Sequence, residues 1–466
     1  MGKFKVRKAA DASNDGFTET IAYHVMHQAN VSTNHNKFYC IEIQKDPKKG
    51  LFRLFTHYGR LASSNIYEIR DQVDGRPVRD ESEVRTEFDS IHKKKLRGKT
   101  NSATGERESY VDVDVVSPSV GSENIRGKAE KTVTVKTAID TTSSDPRVSK
   151  LLDQLVQENV HNITSHTKIK YTANGFATEL GPVTPQHVTK ARVALDAINA
   201  CIGKNGADAD DPDVQRANSA YFSLIPKPFT RKITAEDMIL SSDVILAEYD
   251  ILDQLETGVQ MGSAMTGSAG QRLNALGSDV EWLEDEKEVK RIKHYIRNSK
   301  AGNHRGSGVW NFEPVAVYRI RIPQERSRYD AKVKKYGRVQ EVFHGSANCN
   351  LLSILKGGLI VPPTTAGHVT GRMFGNGVYG AINSTKSLNY SIGYWGARRS
   401  SKNNAFLFLA DFAMGKTQEV FHSVSRGASS GYNSIWAKKG QMLYNDELIV
   451  YDLSQCTLKY LVEMRG

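Results

Sequence analysis

Phe343-His344-Gly345-Ser346, then Gly377-Val378-Tyr379-Gly380-Ala381 with Lys386-Ser387-Leu388-Asn389-Tyr390, then Tyr444-Asn445-Asp446-Glu447-Leu448-Ile449-Val450-Tyr451 follow one another near the end of the chain. Val339 to Phe343 predicts a strand that ends at His344. Leu448-Ile449-Val450 predicts another, which places Glu447 just ahead of a buried run, at the mouth of a cleft. Pro314 to Ile322 and Ala405 to Ala413 add further strands. Short strands between short helices predict an α+β domain over residues 263–466, with Val280 to Asn298 read as one charged helix.

Working outward, residues 145–262 change to helical periodicity. Val148, Leu151, Leu152, Leu155 and Val156 fall on one stripe. Thr184-Pro185 predicts an N-cap with proline in the first turn. Ala235 to Leu255 predicts another long helix. The expected architecture here is an all-helical bundle. Residues 119–144 are rich in Ser, Thr, Gly and charge and are expected to be a linker.

Residues 1–19 are expected to be a loose tail, and 20–118 a small β-rich domain. Phe38-Tyr39-Cys40-Ile41-Glu42-Ile43 and Leu51-Phe52-Arg53-Leu54-Phe55 flank a polar turn and predict a hairpin. His57-Tyr58-Gly59-Arg60 follows, then a helix from Glu81 to Lys95 and a late strand over Tyr110 to Val115.

Composition bounds the rest. At 466 residues there is room for about three domains. No run of about 18 apolar residues predicts a membrane span. The basic start leads into no apolar segment, so a secretory signal is not expected. The four cysteines, Cys40, Cys201, Cys349 and Cys456, form no Cys-x-x-Cys pair, which suits a reduced intracellular protein. His24, His27, His35 and Cys40 fit no common zinc spacing, so no metal is expected. Net charge is +11. Residues 1–110 carry 20 basic and 15 acidic side chains, whereas 151–260 carry 9 basic and 15 acidic. A basic first domain is compatible with a phosphate backbone as partner; a merely soluble basic surface fits the charge as well.

The C-terminal motifs, taken in order, resemble the His-Tyr-Glu site of the poly(ADP-ribose) polymerase family. Tyr58-Gly59-Arg60 in its hairpin resembles the Trp-Gly-Arg triplet of a WGR domain, with Tyr for Trp. Glu179-Leu180-Gly181-Pro182 and Tyr221-Phe222-Ser223-Leu224-Ile225-Pro226 resemble the helical regulatory domain of the DNA-dependent members. The resemblance therefore implies a multidomain α+β chain: a β-rich WGR domain, an all-α bundle and an α+β ADP-ribosyltransferase domain.

It also implies roles. NAD would be consumed as a substrate, with its carboxamide paired to the backbone of Gly345 and to the Ser387 hydroxyl. Tyr379 and Tyr390 would flank the nicotinamide, and His344 would hold the adenosine ribose beside Ser346. Glu447 would stabilise the oxocarbenium-like sugar and orient the acceptor, with Lys386 facing the same ribose. Tyr58 and Arg60 would bind a DNA end by stacking and phosphate pairing. Gly380, where an aromatic is usual, and Leu359 or Ile360, where an Arg commonly serves the adenine end, depart from the family pattern.

The implied function is DNA-break-stimulated poly(ADP-ribosyl) transfer to the protein itself and to other proteins. It would take place in the nucleus of a eukaryote, or in the cytoplasm or nucleoid of a bacterial or viral host. A mono-ADP-ribosyltransferase and an inactive DNA-end scaffold are the rivals. The complete His, Tyr and Glu set favours polymer synthesis.

Overall fold

The computed structural model describes residues 3–9, 16–31, 35–60, 65–102, 105, 107–113, 145–203, 206–229, 233–361, 373–393 and 404–466. The expected linker over 119–144 lies outside them. The chain forms two compact units. One comprises Met1–Thr134, Ile163–Cys201 and Gly206–Leu240; the other comprises Val135–Asn162, Ile202–Asn205 and Ser241–Gly466. This division cuts through residues 145–262, the stretch expected to form a separate bundle.

The first unit begins with strands β1 (Phe4–Ala9), β2 (Glu19–Asn30), β3 (His35–Asp46), β4 (Leu51–Arg60), β5 (Asn65–Val73) and β6 (Arg76–Pro77). Helix α1 (Glu81–Arg97) follows, then β7 (Lys99–Thr100), β8 (Arg107–Glu108) and β9 (Val111–Asp112). The sheet order is β1-β5-β4-β3-β2-β9, with β6 on β5. Strand β1 lies where a loose tail was expected. Its residues pair with β5 from Phe4↔Val73 to Ala9↔Tyr67. Lys5, Arg7 and Lys8 are exposed, and charged side chains are at home on an exposed edge strand. The predicted β3–β4 hairpin is present, its turn held by Asp46, whose carboxylate accepts from the Lys48 and Lys49 amides at 2.9 and 3.1 Å.

Helix α1 starts where the Asp80 side chain accepts from the Ser82 amide. Acidic residues in its first turn and basic ones in its last complement the helix dipole. Its apolar face places Val84 and Phe88 on Met26, Tyr39, Ile41 and Leu54. Each fully buried side chain of this kind stabilises by roughly 1.5–3 kcal/mol. The other face of the sheet packs Val25, Phe38 and Cys40 with Val113 and Leu180.

Helix α2 (Pro146–His166) is divided between the units. Strands β10 (Lys170–Thr172), β11 (Gly175–Thr178) and β12 (Gly181–Pro182) form a small sheet, and helices α3 (Pro185–Cys201) and α4 (Pro212–Leu224) follow in the first unit. Helix α3 starts at the predicted cap, with the His187 amide donating to Thr184 Oγ1 at 3.1 Å.

The second unit holds α5 (Ser242–Met261), α6 (Ala269–Leu276), β13 (Asp279–Trp282), α7 (Glu286–Asn298), β14 (Glu313–Arg321), α8 (Pro323–Tyr336), β15 (Val339–Gly345) and α9 (Leu351–Gly357). After these come β16 (Val378–Gly380), α10 (Ser384–Ser391), β17 (Asn404–Ala413), β18 (Thr417–Val420), β19 (Ser434–Ala437), β20 (Glu447–Val450) and β21 (Cys456–Arg465). Two expected helices are shorter than their patterns. Ala235 to Leu255 breaks at Met238, which is extended, and α5 restarts behind the Ser241 cap. Val280 to Asn298 opens as β13, because Asp285 caps the Lys287 and Glu288 amides and fixes the helix start there.

A five-stranded sheet runs β13-β14-β21-β17-β15, and a four-stranded sheet runs β16-β20-β19-β18. They meet at one bridge, in which Phe343 and Ala381 exchange both backbone hydrogen bonds at 2.7 and 2.9 Å. Apolar cores flank it: Phe343, Leu407, Leu409 and Val462 on one side, Phe374, Ile435 and Ile449 on the other. The junction fixes where His344 and Tyr379 emerge, one on each sheet.

Candidate active site

All eight residues expected to serve catalysis or NAD binding line one cavity of about 560 Å³ in the second unit: His344, Gly345, Ser346, Tyr379, Lys386, Ser387, Tyr390 and Glu447. Strand ends supply His344, Gly345, Tyr379 and Glu447; helix α10 supplies Lys386, Ser387 and Tyr390. A cavity of this size, with a few convergent polar groups on apolar walls, suits a small-molecule substrate.

Glu447 opens strand β20, whose residues are all buried, and is itself 8% exposed. A buried carboxylate needs a partner, and Lys386 Nζ sits 2.9 Å from its Oε1. The same ammonium donates to the carbonyls of Asn445 at 2.8 Å and Asp446 at 3.4 Å. Burial lowers the Lys386 pKa, and Glu447 opposes that shift. Asp446, next in the chain, is turned away: its carboxylate accepts from Trp436 Nε1 at 2.7 Å and from the Lys439 amide at 2.7 Å. Neighbouring carboxylates thus take different tasks, one structural and one facing the cavity.

The His344 Nδ1–H donates to the Tyr379 carbonyl at 2.9 Å, which leaves Nε2 as the acceptor of a neutral ring. Burial holds this imidazole below its ordinary value of 6.5, so the neutral form prevails at neutral pH. Tyr379 is held in turn: its hydroxyl donates to the Gly375 carbonyl at 2.7 Å and accepts from the Phe374 amide at 3.1 Å. Tyr390 is 41% exposed, so its ring is the more open of the two tyrosines.

Gly345 has a sharper reason than ring access. A Cβ there would lie 1.8 Å from the Ser387 carbonyl oxygen, so β15 and α10 can approach only across a glycine. Ser387 is buried and its Oγ donates to the Phe343 carbonyl at 2.9 Å. In this arrangement its hydroxyl proton is engaged, and a carboxamide would meet it as an acceptor. Gly380 also carries a packing reason. A Cβ would press on Val342 Cγ2 at 2.7 Å and Phe412 Cε2 at 3.0 Å, so no aromatic fits there. Leu359 and Ile360 line the cavity as apolar surface in place of a cation.

The sequence reading missed helix α5 as a wall of this cavity. Asp250, Asp253 and Glu256 line it. Gln254, fully buried, donates from Nε2 to Asn350 Oδ1 at 2.6 Å, while Asn159 and Asn162 donate to its backbone and side-chain oxygens at 3.2 and 2.7 Å. Thr257 Oγ1 donates to Ser353 Oγ at 2.9 Å. Asn350 also donates to Ser346 Oγ at 3.2 Å. The three-residue spacing of the acids was visible, but apolar periodicity alone dominated the reading of that helix.

Tyr58 and Arg60 lie in the first unit, on strand β4. Tyr58 is half-buried, stacked on Tyr39 with centroids 5.1 Å apart, and its hydroxyl donates to Glu68 Oε1 at 3.0 Å. Burial and then the Glu68 bond push its phenol up to about 12. Lys95 Nζ sits 3.8 Å over the Tyr39 ring, and burial brings that ammonium down to about 8. Arg60 is exposed and pairs across the ladder with Lys37.

Among the described residues no helix is long and apolar enough to cross a membrane. Residues 286–442 match the poly(ADP-ribose) polymerase catalytic domain, and residues 23–102 match the WGR domain. Glu447 lies just beyond the first of these stretches. The chain is 23% identical to poly [ADP-ribose] polymerase 2 of Arabidopsis thaliana over 95% of its own length and 72% of the relative's. It is 21% identical to the human protein mono-ADP-ribosyltransferase PARP3 over 94% of its length and 87% of that protein's. It is 25% identical to poly [ADP-ribose] polymerase 1 of Gallus gallus, over 61% of its length and 31% of that protein's. Both domain matches fall on one chain, which therefore carries a WGR domain and a poly(ADP-ribose) polymerase catalytic domain and is an NAD+ ADP-ribosyltransferase.

Proposed function

We propose that the protein is a DNA-break-stimulated poly(ADP-ribosyl)transferase that modifies itself and other proteins. The observation that carries the chemistry is the Glu447–Lys386 pair, 2.9 Å apart and facing the same cavity as His344, Tyr379 and Tyr390. Breaking the nicotinamide bond leaves positive charge on the ribose. A fixed carboxylate in a water-poor site stabilises that charge without reorganising. The Gly345 backbone takes the carboxamide, the two tyrosine rings flank the pyridinium, and Glu447 accepts from the ribose 2′-hydroxyl and orients the attacking acceptor hydroxyl. Lys386 pairs with the buried Glu447 carboxylate and holds it in place. No protein group in this scheme calls for a metal.

Helix α5 supports regulation of that site. Its three acids border a cavity that must accept the anionic pyrophosphate of NAD, so the helix in place disfavours substrate. Loosening α5 on DNA binding relieves the repulsion, a local-unfolding switch. Residues 145–262 would then be the regulatory segment and 20–118, through Tyr58 and Arg60, the sensor. In a eukaryotic source this activity belongs to the nucleus.

The mono-transferase reading keeps a specific support, since the match to PARP3 spans 87% of that protein. Nicotinamide release with and without a nicked duplex, together with product size on a gel, tests both. Stimulated release with long products supports the proposal. Single-unit products select the mono-transferase, and absence of release under both conditions rejects the enzyme.

A further inference from the structure

Strand β2 carries two histidines whose side chains part company. His27 faces the side of Val25, and its Nδ1 contacts the Ser223 carbonyl at 2.5 Å. His24, three residues earlier, points to the other side, where its ring stacks on Phe88 of α1. Of the His24, His27, His35 and Cys40 set, which fits no common zinc spacing, His24 and His27 therefore do not face one another. The fold gives His24 other companions. His92, one turn after Phe88 on α1, stacks on it with centroids 3.5 Å apart. Asp112 arrives on β9, which pairs with β2 through Met26↔Asp112. One donor atom from each of the three residues lies within 4.8 Å of the other two.

We propose that His24, His92 and Asp112 form a binding site for a zinc-class divalent ion that ties α1 and β9 to strand β2. In a tetrahedral site with bonds near 2.0–2.1 Å, neighbouring donors stand about 3.3–3.4 Å apart. His92 Nε2 lies 2.9 Å from each carboxylate oxygen of Asp112, and His24 Nδ1 lies 3.8 Å from Oδ1. These values bracket the required spacing, so small side-chain rotations complete the triangle. Two imidazoles and one carboxylate suit zinc, cobalt or nickel and not calcium or magnesium, which take oxygen shells. The proton that His92 now shares with Asp112 stands where the cation goes. Three protein ligands leave the fourth position to water. All three side chains are partly buried, sheltered by Phe88 yet reachable from solvent. The ion fixes β9, the last described strand ahead of residues 114–144.

The test uses the full chain, stripped of metal with a chelator and titrated with Zn2+ by calorimetry, then with Co2+ by absorption. One Zn2+ per chain is expected, with affinity at least tenfold weaker in His92→Gln and in Asp112→Asn. Co2+ is expected to show d–d bands without the near-ultraviolet charge transfer of a thiolate, which separates this site from the four cysteines. Circular dichroism and basal nicotinamide release, both unchanged in the two variants, show that they remain folded. A hundredfold excess of Mg2+ or Ca2+ is expected to leave Zn2+ bound. Absence of stoichiometric Zn2+ binding, binding undiminished in both variants, a thiolate spectrum, or displacement by Ca2+ would each overturn the proposal.

Discussion

The catalytic cavity and the β-sheet of the first unit place chemistry in opposite ways. The cavity draws the eight residues expected at its NAD site from three contiguous motifs, set at or near strand ends and on one short helix. Its geometry follows from a single junction, the Phe343–Ala381 bridge, with an apolar core on either side. In the first unit, groups distant in sequence converge across sheet and helix: Tyr58 with Tyr39, Glu68 and Lys95, and His24 with His92 and Asp112. Local sequence discloses the first kind of site. The second kind exists only after strands pair and a helix docks.

The largest expected effect breaks the cavity side of this contrast. Glu447→Gln keeps shape and removes charge, so chain elongation should fall about 10²–10³-fold, the range for losing one preorganised electrostatic group. NAD affinity should change only a few-fold. Polymer of wild-type length from this variant would remove Glu447 from its role.

Next comes the wall contributed by α5. Gln254→Leu deletes its side-chain hydrogen bonds to Asn162 and Asn350, and loss of such buried bonds costs roughly 1–3 kcal/mol. DNA-free nicotinamide release should rise several-fold and approach the DNA-stimulated rate. This variant is a cleaner probe than deleting residues before Ser263. That deletion strips α2 and α5 from the second unit, including the contact of Asp153 with the fully buried Arg272. Unchanged basal turnover with weakened α5 protection in hydrogen exchange would reject gating by this helix.

A smaller change sharpens the first-unit side. Tyr58→Ala with Arg60→Ala should weaken binding of a nicked duplex, with stacking alone contributing roughly 1–3 kcal/mol. Basal release should persist. Because Tyr58 is already stacked on Tyr39 and bonded to Glu68, Tyr58→Phe separates the two contributions. Retained DNA affinity in that variant assigns the contact to the ring, and lost affinity assigns it to the hydroxyl network.

The smallest effect is a pH dependence. The His344 pKa is depressed below 6.5 in the folded protein by burial. The unfolded chain therefore binds the extra proton first, and the stability this group contributes is present above 6.5. It is lost as pH falls through the lower folded value. Protonation also converts Nε2 from acceptor to donor, so KM for NAD should rise as pH falls through that lower folded value. A KM unchanged across the pH range in which NMR shows the His344 ring taking up its proton would show that Nε2 does not serve the substrate.

Legibility in the sequence tracked the same contrast. Strands β14, β15 and β17 lay within a residue or two of their patterns and the β3–β4 turn stood where expected, because alternation and turn chemistry are local, although β3 is longer at both ends and β4 runs on through Tyr58 to Arg60. Strand β1 and the split at β13 were not legible. The first exists only through pairing with β5, some sixty residues later, and a single cap at Asp285 decided the second. All eight cavity residues stood in the motifs, but the reason Gly345 must be glycine did not, since it comes from the Ser387 carbonyl 42 positions later in the chain, across the β15–α10 approach. The α5 acids and the His24–His92–Asp112 cluster were hidden because tertiary contact alone gives them a common target.

The proposed chemistry requires NAD in the cavity between Tyr379, Tyr390 and Glu447. A crystal structure of the protein with nicotinamide, small enough to enter beside α5, tests this most directly. The carboxamide is expected on the Gly345 backbone and the ring between Tyr379 and Tyr390, with its glycosidic nitrogen turned toward Glu447. Nicotinamide bound elsewhere, or turned with its carboxamide toward Glu447, would contradict it.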